Sequence, residues 1–255
     1  MRNILLFFVL VSSVVSAQTP DALFADANEL YRQDKFEEAL KIYRQIEASD
    51  KFSSELYYNM ANCYYKLNKV APSIYNYETA LVLDPLNEDA QNNLKIAHKL
   101  TLDRIEPLPK TLFQKFSSSV LGKFHYNTWA YLSVGLSIIA SFLFILFYLS
   151  YDSGKKRSFF ILSILIFFFL LITLLSAYHQ FSKSQLKKEA IIFATEVDIR
   201  NAPTLSSDAV FILHEGTKVS IMDSVDDWYK IKLIDGKIGW IKADDIKVIN
   251  QFLPQ

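Results

Sequence analysis

Two uncharged, apolar runs constrain this sequence more than any other feature. One comprises residues 129–150 and the other residues 158–178, and neither contains an Asp, Glu, Lys or Arg. A helix rises about 1.5 Å per residue, so each run reaches roughly 30 Å, the thickness of the hydrocarbon core of a bilayer. A chain of 255 residues has little soluble core in which to bury both runs. We therefore predict two transmembrane helices with these bounds.

The connection between the two runs is short and basic. Residues 151–157 form a turn too short to cross a membrane, so the helices must make an antiparallel hairpin, and the segments before and after it lie on one side. Lys155, Lys156 and Arg157 stand together in this turn. Positive residues are concentrated in cytoplasmic loops. The turn is therefore predicted to be cytoplasmic, and the flanking segments to lie outside the cytoplasm.

The N-terminus has the layout of an export signal. Arg2 precedes an apolar core that is too short to span a membrane, and small residues follow it up to Ala17. This arrangement is typical of a secretory signal peptide, predicted here as residues 1–17 with cleavage between Ala17 and Gln18. An uncleaved anchor or a buried helix is the alternative. Together with the hairpin, the signal predicts a multi-pass protein of the inner (cytoplasmic) membrane, in contact with the lipid bilayer.

Composition excludes several classes of function. The 27 Lys and Arg balance the 27 Asp and Glu, whereas a nucleic-acid-binding protein needs a basic excess. A single cysteine, Cys63, excludes an internal disulfide and a cysteine-based zinc site. The four histidines are isolated from one another, and there is neither a glycine-rich phosphate loop nor a nucleophile elbow. We expect no enzyme, no catalytic or metal site and no cofactor.

Residues 18–100 contain an internal repeat. Similar residues recur at an interval of 34 positions, with small residues where two helices must touch. The paired positions are Leu23/Tyr57, Ala27/Ala61, Leu30/Tyr64, Phe36/Val70, Ala39/Ser73, Tyr43/Tyr77 and Ile46/Ala80. The period and the closing segment Ala80–Pro85 resemble the tetratricopeptide repeat (TPR), with copies at 20–53 and 54–87 and a capping helix at 88–100. The resemblance implies a helical scaffold whose first helices line a peptide-binding groove. A helical bundle without a true repeat is the alternative.

Two pairs of polar residues mark the candidate groove. Asn28 and Arg32 are one helical turn apart, and Asn62 and Lys66 repeat them 34 residues later. A spacing of four residues places each amide and cation on one helix face, where they are able to hold a peptide backbone or a carboxylate. A solvated surface without a ligand is the alternative.

Residues 101–128 form a linker of mixed character. Pro107 and Pro109 end the helical pattern, and apolar residues then recur at steps of three and four up to Phe124. This pattern fits an amphipathic helix on the membrane surface, and it fits equally a helix packed under the repeats.

After a second linker, residues 179–189, the pattern changes to short alternating strands separated by turn residues. Five or six strands in about 60 residues predict a small barrel. The segments Val197–Pro203, Leu213–Val219, Asp227–Ile231 and Asp235–Ile241 resemble the bacterial SH3 domain in order and spacing, over residues 190–249. The resemblance implies binding to cell-wall peptides or protein segments. Trp228 and Tyr229 are the candidate surface residues, and Trp240 is expected in the core.

The fold class is therefore multi-domain: an α-helical TPR repeat, a two-helix transmembrane hairpin and an all-β SH3-like barrel. This order of modules resembles the BatE-like family encoded in the aerotolerance (Bat) operons of Bacteroides-like bacteria. The resemblance implies a non-enzymatic membrane scaffold that binds protein partners, among them other Bat-type membrane proteins, in envelope stress or aerotolerance. The alternative is a cell-wall sensor whose SH3 domain binds peptidoglycan and signals through the hairpin.

Overall fold

A computed structural model describes residues 19–109, 111, 115, 121, 124, 126–186 and 188–249. The predicted signal peptide lies outside these residues, as does most of the predicted interfacial helix. The chain divides after Lys51 into two compact units. The first described unit contains two helices, α1 (Pro20–Arg32) and α2 (Phe36–Glu47). The second contains three more helices, an apolar hairpin and a β-sheet domain.

The first unit is a helix pair whose start and turn follow from its sequence. Thr19 caps α1 by accepting a hydrogen bond from the amide of Ala22 at 3.3 Å, and Pro20 occupies the first turn, where its missing N–H costs nothing. Ala27 and Ala39 are fully buried, which allows the two helices to approach closely. Asp34 adopts a left-handed conformation (φ 58°) in the turn between them.

The helices of the second unit repeat this pattern 34 residues later. They are α3 (Ser54–Lys66), α4 (Val70–Leu83) and α5 (Glu88–Ala97), followed by a 3-10 turn at His98–Leu100. Asn68 takes the left-handed conformation of Asp34, with φ 56°. The amide of Lys69 donates to the carbonyl of Tyr64 as that of Lys35 donates to Leu30, both at 2.9 Å. The helical repeat predicted from the 34-residue period is confirmed.

Helix α4 differs from its neighbours because it is buried on every side. All eight residues from Ser73 to Ala80 are buried, including the carboxylate-bearing Glu78. A helix that is apolar around its whole circumference lies in a core, whereas a surface helix has one polar face. Helix α4 packs against α3 and α5, and β1 of the sheet domain covers a further side.

Two long helices form the hairpin, α6 (Tyr126–Leu149) and α7 (Ser153–Leu186). Both are long and apolar enough to cross a membrane. They pack on each other through mainly small polar residues, and the hydroxyl of Ser133 donates to that of Thr173 at 3.0 Å. Helix α7 begins at Ser153, five residues before the predicted start at residue 158, so Lys155, Lys156 and Arg157 lie in its first turns rather than in a loop.

The C-terminal domain is a seven-stranded antiparallel sheet. Its strands are β1 (Lys188–Ile192), β2 (Glu196–Arg200), β3 (Ala209–His214), β4 (Lys218–Val225), β5 (Trp228–Lys232), β6 (Ile238–Lys242) and β7 (Ile246–Val248). Their order is β3-β2-β6-β5-β4-β1-β7. Alternate residues such as Ile199, Ile231 and Ile241 are fully buried in one core. Gly239 is required in β6, because a Cβ there would overlap the side chain of Ile199. The predicted SH3-like fold class is confirmed.

Candidate binding surfaces and the contact between modules

The amides predicted to line a groove each contact a tyrosine of the same repeat. Tyr43 on α2 donates its hydroxyl to Oδ1 of Asn28 on α1. Tyr77 on α4 donates in the same way to Oδ1 of Asn62 on α3. The bond recurs at an interval of 34 residues, so it ties the second helix to the first in both repeats. Asn62 and Asn28 therefore have a structural role in addition to the predicted binding role.

Asn62 and Arg32 have further polar contacts, whereas Lys66 lies exposed at the surface. Asn93 on α5 donates its side-chain amide to Oδ1 of Asn62 at 3.0 Å. Arg32 forms an exposed ion pair with Glu29 at 2.6 Å, one helical turn away. Lys66 is exposed at the end of α3. The peptide-binding role of these residues stays a prediction, with the Nδ2 group of Asn62 and the ammonium of Lys66 as the donors on α3.

The two aromatic residues predicted on the sheet domain lie on opposite faces of β5. Tyr229 points inward and packs against the core, whereas Trp228 points outward and is half-buried. Successive residues of a strand alternate between faces, so the pair does not form one surface. Trp240 also lies on the outer face, with the ammonium of Lys230 5.8 Å from its ring centroid. Its expected place in the core was wrong, because Gly239 and Ile241 take the inward positions of β6.

The sheet domain contacts the second repeat through a partly buried ion cluster that the sequence did not predict. Nζ of Lys218 at the start of β4 lies 2.7 Å from Oε2 of Glu78 on α4 and 2.8 Å from Oε2 of Glu189 on β1. Burial by itself lowers the pKa of Lys218, but the two carboxylates beside it outweigh that effect and raise the pKa above its ordinary value. Lys218 is therefore a fixed cation that links the helical repeat to the sheet.

Aromatic packing extends the same contact. The ring of Tyr75 on α4 meets the ring of Phe193 edge-on, with the centroids 5.8 Å apart. Nζ of Lys247 lies 4.3 Å from the centroid of the Tyr75 ring, which is a cation–π distance. The hydroxyl of Tyr75 donates to the carbonyl of Val248 at 3.4 Å. One tyrosine of α4 thus contacts both ends of the β1–β7 edge.

The turn between β3 and β4 approaches the first turn of α4. Gly216 in this turn has φ 85°, and a Cβ there would lie 2.9 Å from Thr101 Cγ2 and 3.0 Å from Ile74 Cδ1. Oε2 of Glu215 lies 3.5 Å from the amide of Ala71, one of the amides without an intrahelical partner at the start of α4. A glycine at position 216 therefore permits both the positive φ of the turn and its close packing against Ile74 and Thr101.

Residues 101–108, which we call the strap, run from α5 along the sheet domain. Asp103 accepts hydrogen bonds from the amide of His214 at 2.7 Å and the hydroxyl of Thr217 at 2.6 Å, and its other oxygen lies 2.8 Å from Nδ1 of His214. Burial raises the pKa of the Asp103 carboxyl, but these hydrogen bonds outweigh it and hold the pKa below its ordinary value. The amide of Leu108 donates to the carbonyl of Ile234 at 3.4 Å.

Comparisons with known families agree with this architecture. A family model for the tetratricopeptide repeat matches residues 54–87, and a model for the bacterial SH3 domain matches residues 195–247. No curated protein matches the sequence significantly. Both matched families are typically non-catalytic binding modules. Among the described residues, no three or more His, Cys, Asp or Glu side chains are grouped so that they could hold a metal ion.

Proposed function

We propose that this protein is a non-enzymatic scaffold, anchored in the inner membrane, that binds protein partners through TPR and SH3-like modules outside the cytoplasm. The observation that carries the proposal is the contact between the second repeat and the sheet domain. The repeat precedes the apolar hairpin and the sheet domain follows it, yet Glu78 and Lys218 are joined by an ion pair. Two modules in contact lie on the same side of a membrane, which is the arrangement that a hairpin crossing it twice requires.

The hairpin surface supports anchoring in a bilayer. The residues buried between its helices include Ser133, Ser163, Thr173 and Ser176, whereas large apolar side chains face outward. Among the latter, Phe142 and Phe168 are each 59% exposed. Small and polar residues at the helix contact with apolar residues outside are typical of helices packed in lipid. A soluble protein rarely exposes apolar patches of this extent.

The predicted orientation follows from charge and from the N-terminal signal. Lys155, Lys156 and Arg157 at the start of α7 favour a cytoplasmic tip for the hairpin. The predicted signal peptide, residues 1–17 with cleavage between Ala17 and Gln18, exports the first soluble segment. Both modules then lie outside the cytoplasm.

Partner binding by the repeat is assigned to Asn28, Arg32, Asn62 and Lys66. On α3, the Nδ2 donors of Asn62 and the ammonium of Lys66 are matched to a peptide carbonyl and to a carboxylate. The test is in vivo crosslinking of the full chain, followed by identification of the partner. We expect the double substitution Asn62→Ala and Lys66→Ala to abolish the crosslink.

A matched control uses exposed charges on a second helix. Glu38 and Lys41 are exposed on α2, and their double substitution by alanine should leave the crosslink unchanged. If the crosslink persists in the Asn62 and Lys66 variant, the repeat does not bind its partner through these residues.

The order of modules further supports a place in envelope stress or aerotolerance, with other Bat-type membrane proteins as partners. Its test is a deletion strain grown under increasing oxygen, complemented with wild type or with the Asn62 and Lys66 variant. Restored growth with wild type alone is the expected result. Equal growth of the deletion and parent strains at every oxygen level contradicts this assignment.

A second candidate function is a cell-wall sensor, in which the SH3-like domain binds peptidoglycan peptides and signals through the hairpin. The observation in its favour is the direct connection between helix and sheet. Helix α7 ends at Leu186 and β1 begins at Lys188, so a displaced domain would move the helix with it. Sedimentation of the full chain with purified peptidoglycan tests this candidate. Trp228→Ala should weaken the sedimentation, and a wild-type chain that does not sediment removes it.

A further inference from the structure

We propose that the sheet domain carries a peptide-recognition surface and that the strap, residues 101–108, is the ligand bound to it in cis. The ligand class is an extended segment with an aspartate, an aliphatic residue two positions later and a second aliphatic residue three positions after that. In this chain those positions are Asp103, Ile105 and Leu108. The inference does not depend on which external partner the repeats bind.

The turn between β3 and β4 binds the side chain of Asp103. The amide of His214 and the hydroxyl of Thr217 both donate to one oxygen of Asp103, and Nδ1 of His214 faces the other oxygen. The side chain of Asp103 is only 12% exposed. Hydrogen bonds to a charged acceptor are short and about twice as strong as neutral ones. An uncharged side chain of the same shape, such as asparagine, would therefore make weaker hydrogen bonds with the donors of this turn.

The apolar positions are read by the core and the β5–β6 turn. Ile105 packs against the core cluster of the sheet domain. The amide of Leu108 donates to the carbonyl of Ile234 at 3.4 Å; its side chain, although 57% exposed, lies over Gly236, where a Cβ would be 3.3 Å from Leu108 Cδ1. The side chains of Arg104 and Glu106, which lie between these positions, are exposed.

The strap has the geometry of a bound peptide. From Thr101 to Glu106 partly buried and exposed residues alternate strictly, as they do in an extended segment with one face on a surface. These residues belong to neither a helix nor a strand. The family model of the SH3 domain begins at residue 195, after the hairpin in the sequence, so the strap is not part of the matched domain. The contact of α4 with the sheet domain brings the strap near this surface, and Asp103 and Ile105 then supply the side-chain contacts with it.

Occupation in cis has a measurable consequence. A tethered ligand acts at an effective concentration in the millimolar range, so the wild-type chain excludes a weak peptide of the same sequence added in solution. A chain whose strap is disabled leaves the surface open to that peptide. An external protein segment with the same chemistry faces the same competition.

The experiment uses the full chain in detergent micelles and a fluorescein-labelled peptide with the sequence of residues 100–109. We expect the double variant Asp103→Ala and Ile105→Ala to bind the peptide at least tenfold more tightly than wild type, by fluorescence anisotropy. A peptide carrying Asn in place of Asp103 should not bind the variant. The control variant Arg104→Ala with Glu106→Ala changes exposed strap residues and should behave as wild type.

A second measurement covers the case in which the disabled strap destabilises the domain. The peptide in excess should then raise the melting temperature of the double variant, and the Asn peptide should not. Adding Thr217→Val to the double variant should abolish both effects. The inference is overturned if the peptide neither binds nor stabilises the double variant, or if wild type and double variant bind it equally.

Discussion

The ion cluster around Lys218 makes the sharpest prediction about how the two modules are held together. Lys218→Met keeps the length of the side chain but removes its charge. Glu78 and Glu189 would then be left as two carboxylates without their shared cation, in a place where their side chains are 11% and 20% exposed. Breaking a buried ion pair by removing one partner costs about 3–5 kcal/mol. Because the cluster keeps some access to water, we expect about 3 kcal/mol.

Two further variants separate the pair from the individual charges. Glu78→Gln leaves Lys218 paired with Glu189, so the expected cost is smaller, about 1–2 kcal/mol. The double variant Glu78→Gln and Lys218→Met removes the charges of both partners, so Glu189 is the one carboxylate of the cluster left without the cation. Its cost should therefore be less than the sum of the single costs, with a coupling energy of about 1–3 kcal/mol.

Thermal unfolding in detergent, followed by near-ultraviolet circular dichroism, measures these differences. A cost of 3 kcal/mol corresponds to a decrease in melting temperature of about 10 °C for a body of this size. The matched control is Glu29→Gln, which removes the exposed Arg32 ion pair and should leave the melting temperature nearly unchanged, since exposed ion pairs contribute little to stability. The reasoning is refuted if Lys218→Met melts within 2 °C of the Glu29→Gln control.

The remaining predictions test other parts of the structure. Hydrogen bonds lower the pKa of Asp103, so the stability it contributes is present above the pKa of an unfolded aspartate, about 3.9, and is lost as the pH falls through its folded-state pKa. The difference in melting temperature between wild type and Asp103→Asn should therefore be largest near pH 6 and shrink steadily as the pH is lowered below about 4; a difference independent of pH contradicts this role. Gly216→Ala adds a clash to the backbone strain and should lower the free energy of unfolding by about 3 kcal/mol, measured by chemical denaturation. Gly236→Ala has a similar φ of 95° but a roomier site, so its cost should be about 1–2 kcal/mol. Equal costs for the two variants contradict the close approach at the turn. Ser133→Ala removes the hydroxyl contact with α7 and should lower hairpin stability by only about 0.6 kcal/mol, measured by steric trapping in bilayers; a loss above 2 kcal/mol would mean that this bond dominates helix association.

The elements themselves were predictable because each has a local signal. The 34-residue period identified the helix pairs, and its recurrence extends to the left-handed turn residues Asp34 and Asn68. The uncharged runs identified both hairpin helices, although their ends differ by several residues, since Lys and Arg are compatible with a helix that continues beyond the membrane. The strands of the sheet domain were recognisable because apolar and polar residues alternate along them, which is also a local signal.

The contact between modules had no comparable signal. It joins residues more than 100 positions apart, such as Asp103 and His214, and no periodicity connects them. One indication was present in α4, where Glu78 is the only charged residue of an otherwise uncharged helix and therefore needed a buried partner. A second indication was Gly216, but a glycine in a turn between two strands does not by itself signal a close contact with a helix. Strand alternation would have separated Tyr229 from Trp228 in advance.

The roles of Asn28 and Asn62 show a different limit of sequence reasoning. Their recurrence was correctly noticed, but a repeated polar residue can serve the repeat as well as a ligand. The tyrosines that contact them, Tyr43 and Tyr77, recur at the same interval and were placed among the repeat positions. A buried hydroxyl requires an acceptor, so the two repeated patterns belonged together.

The side of the membrane on which each module lies tests the central claim most directly. In a Cys63→Ala background, single cysteines replace the exposed residues Glu55 on α3, Asp244 after β6 and Lys155 at the start of α7. Intact cells with a permeable outer membrane are treated with a membrane-impermeant maleimide. The account predicts that the cysteines at Glu55 and Asp244 are both labelled, and that the cysteine at Lys155 is labelled only after lysis. Labelling of one module without the other, or of Lys155 together with both, would contradict it.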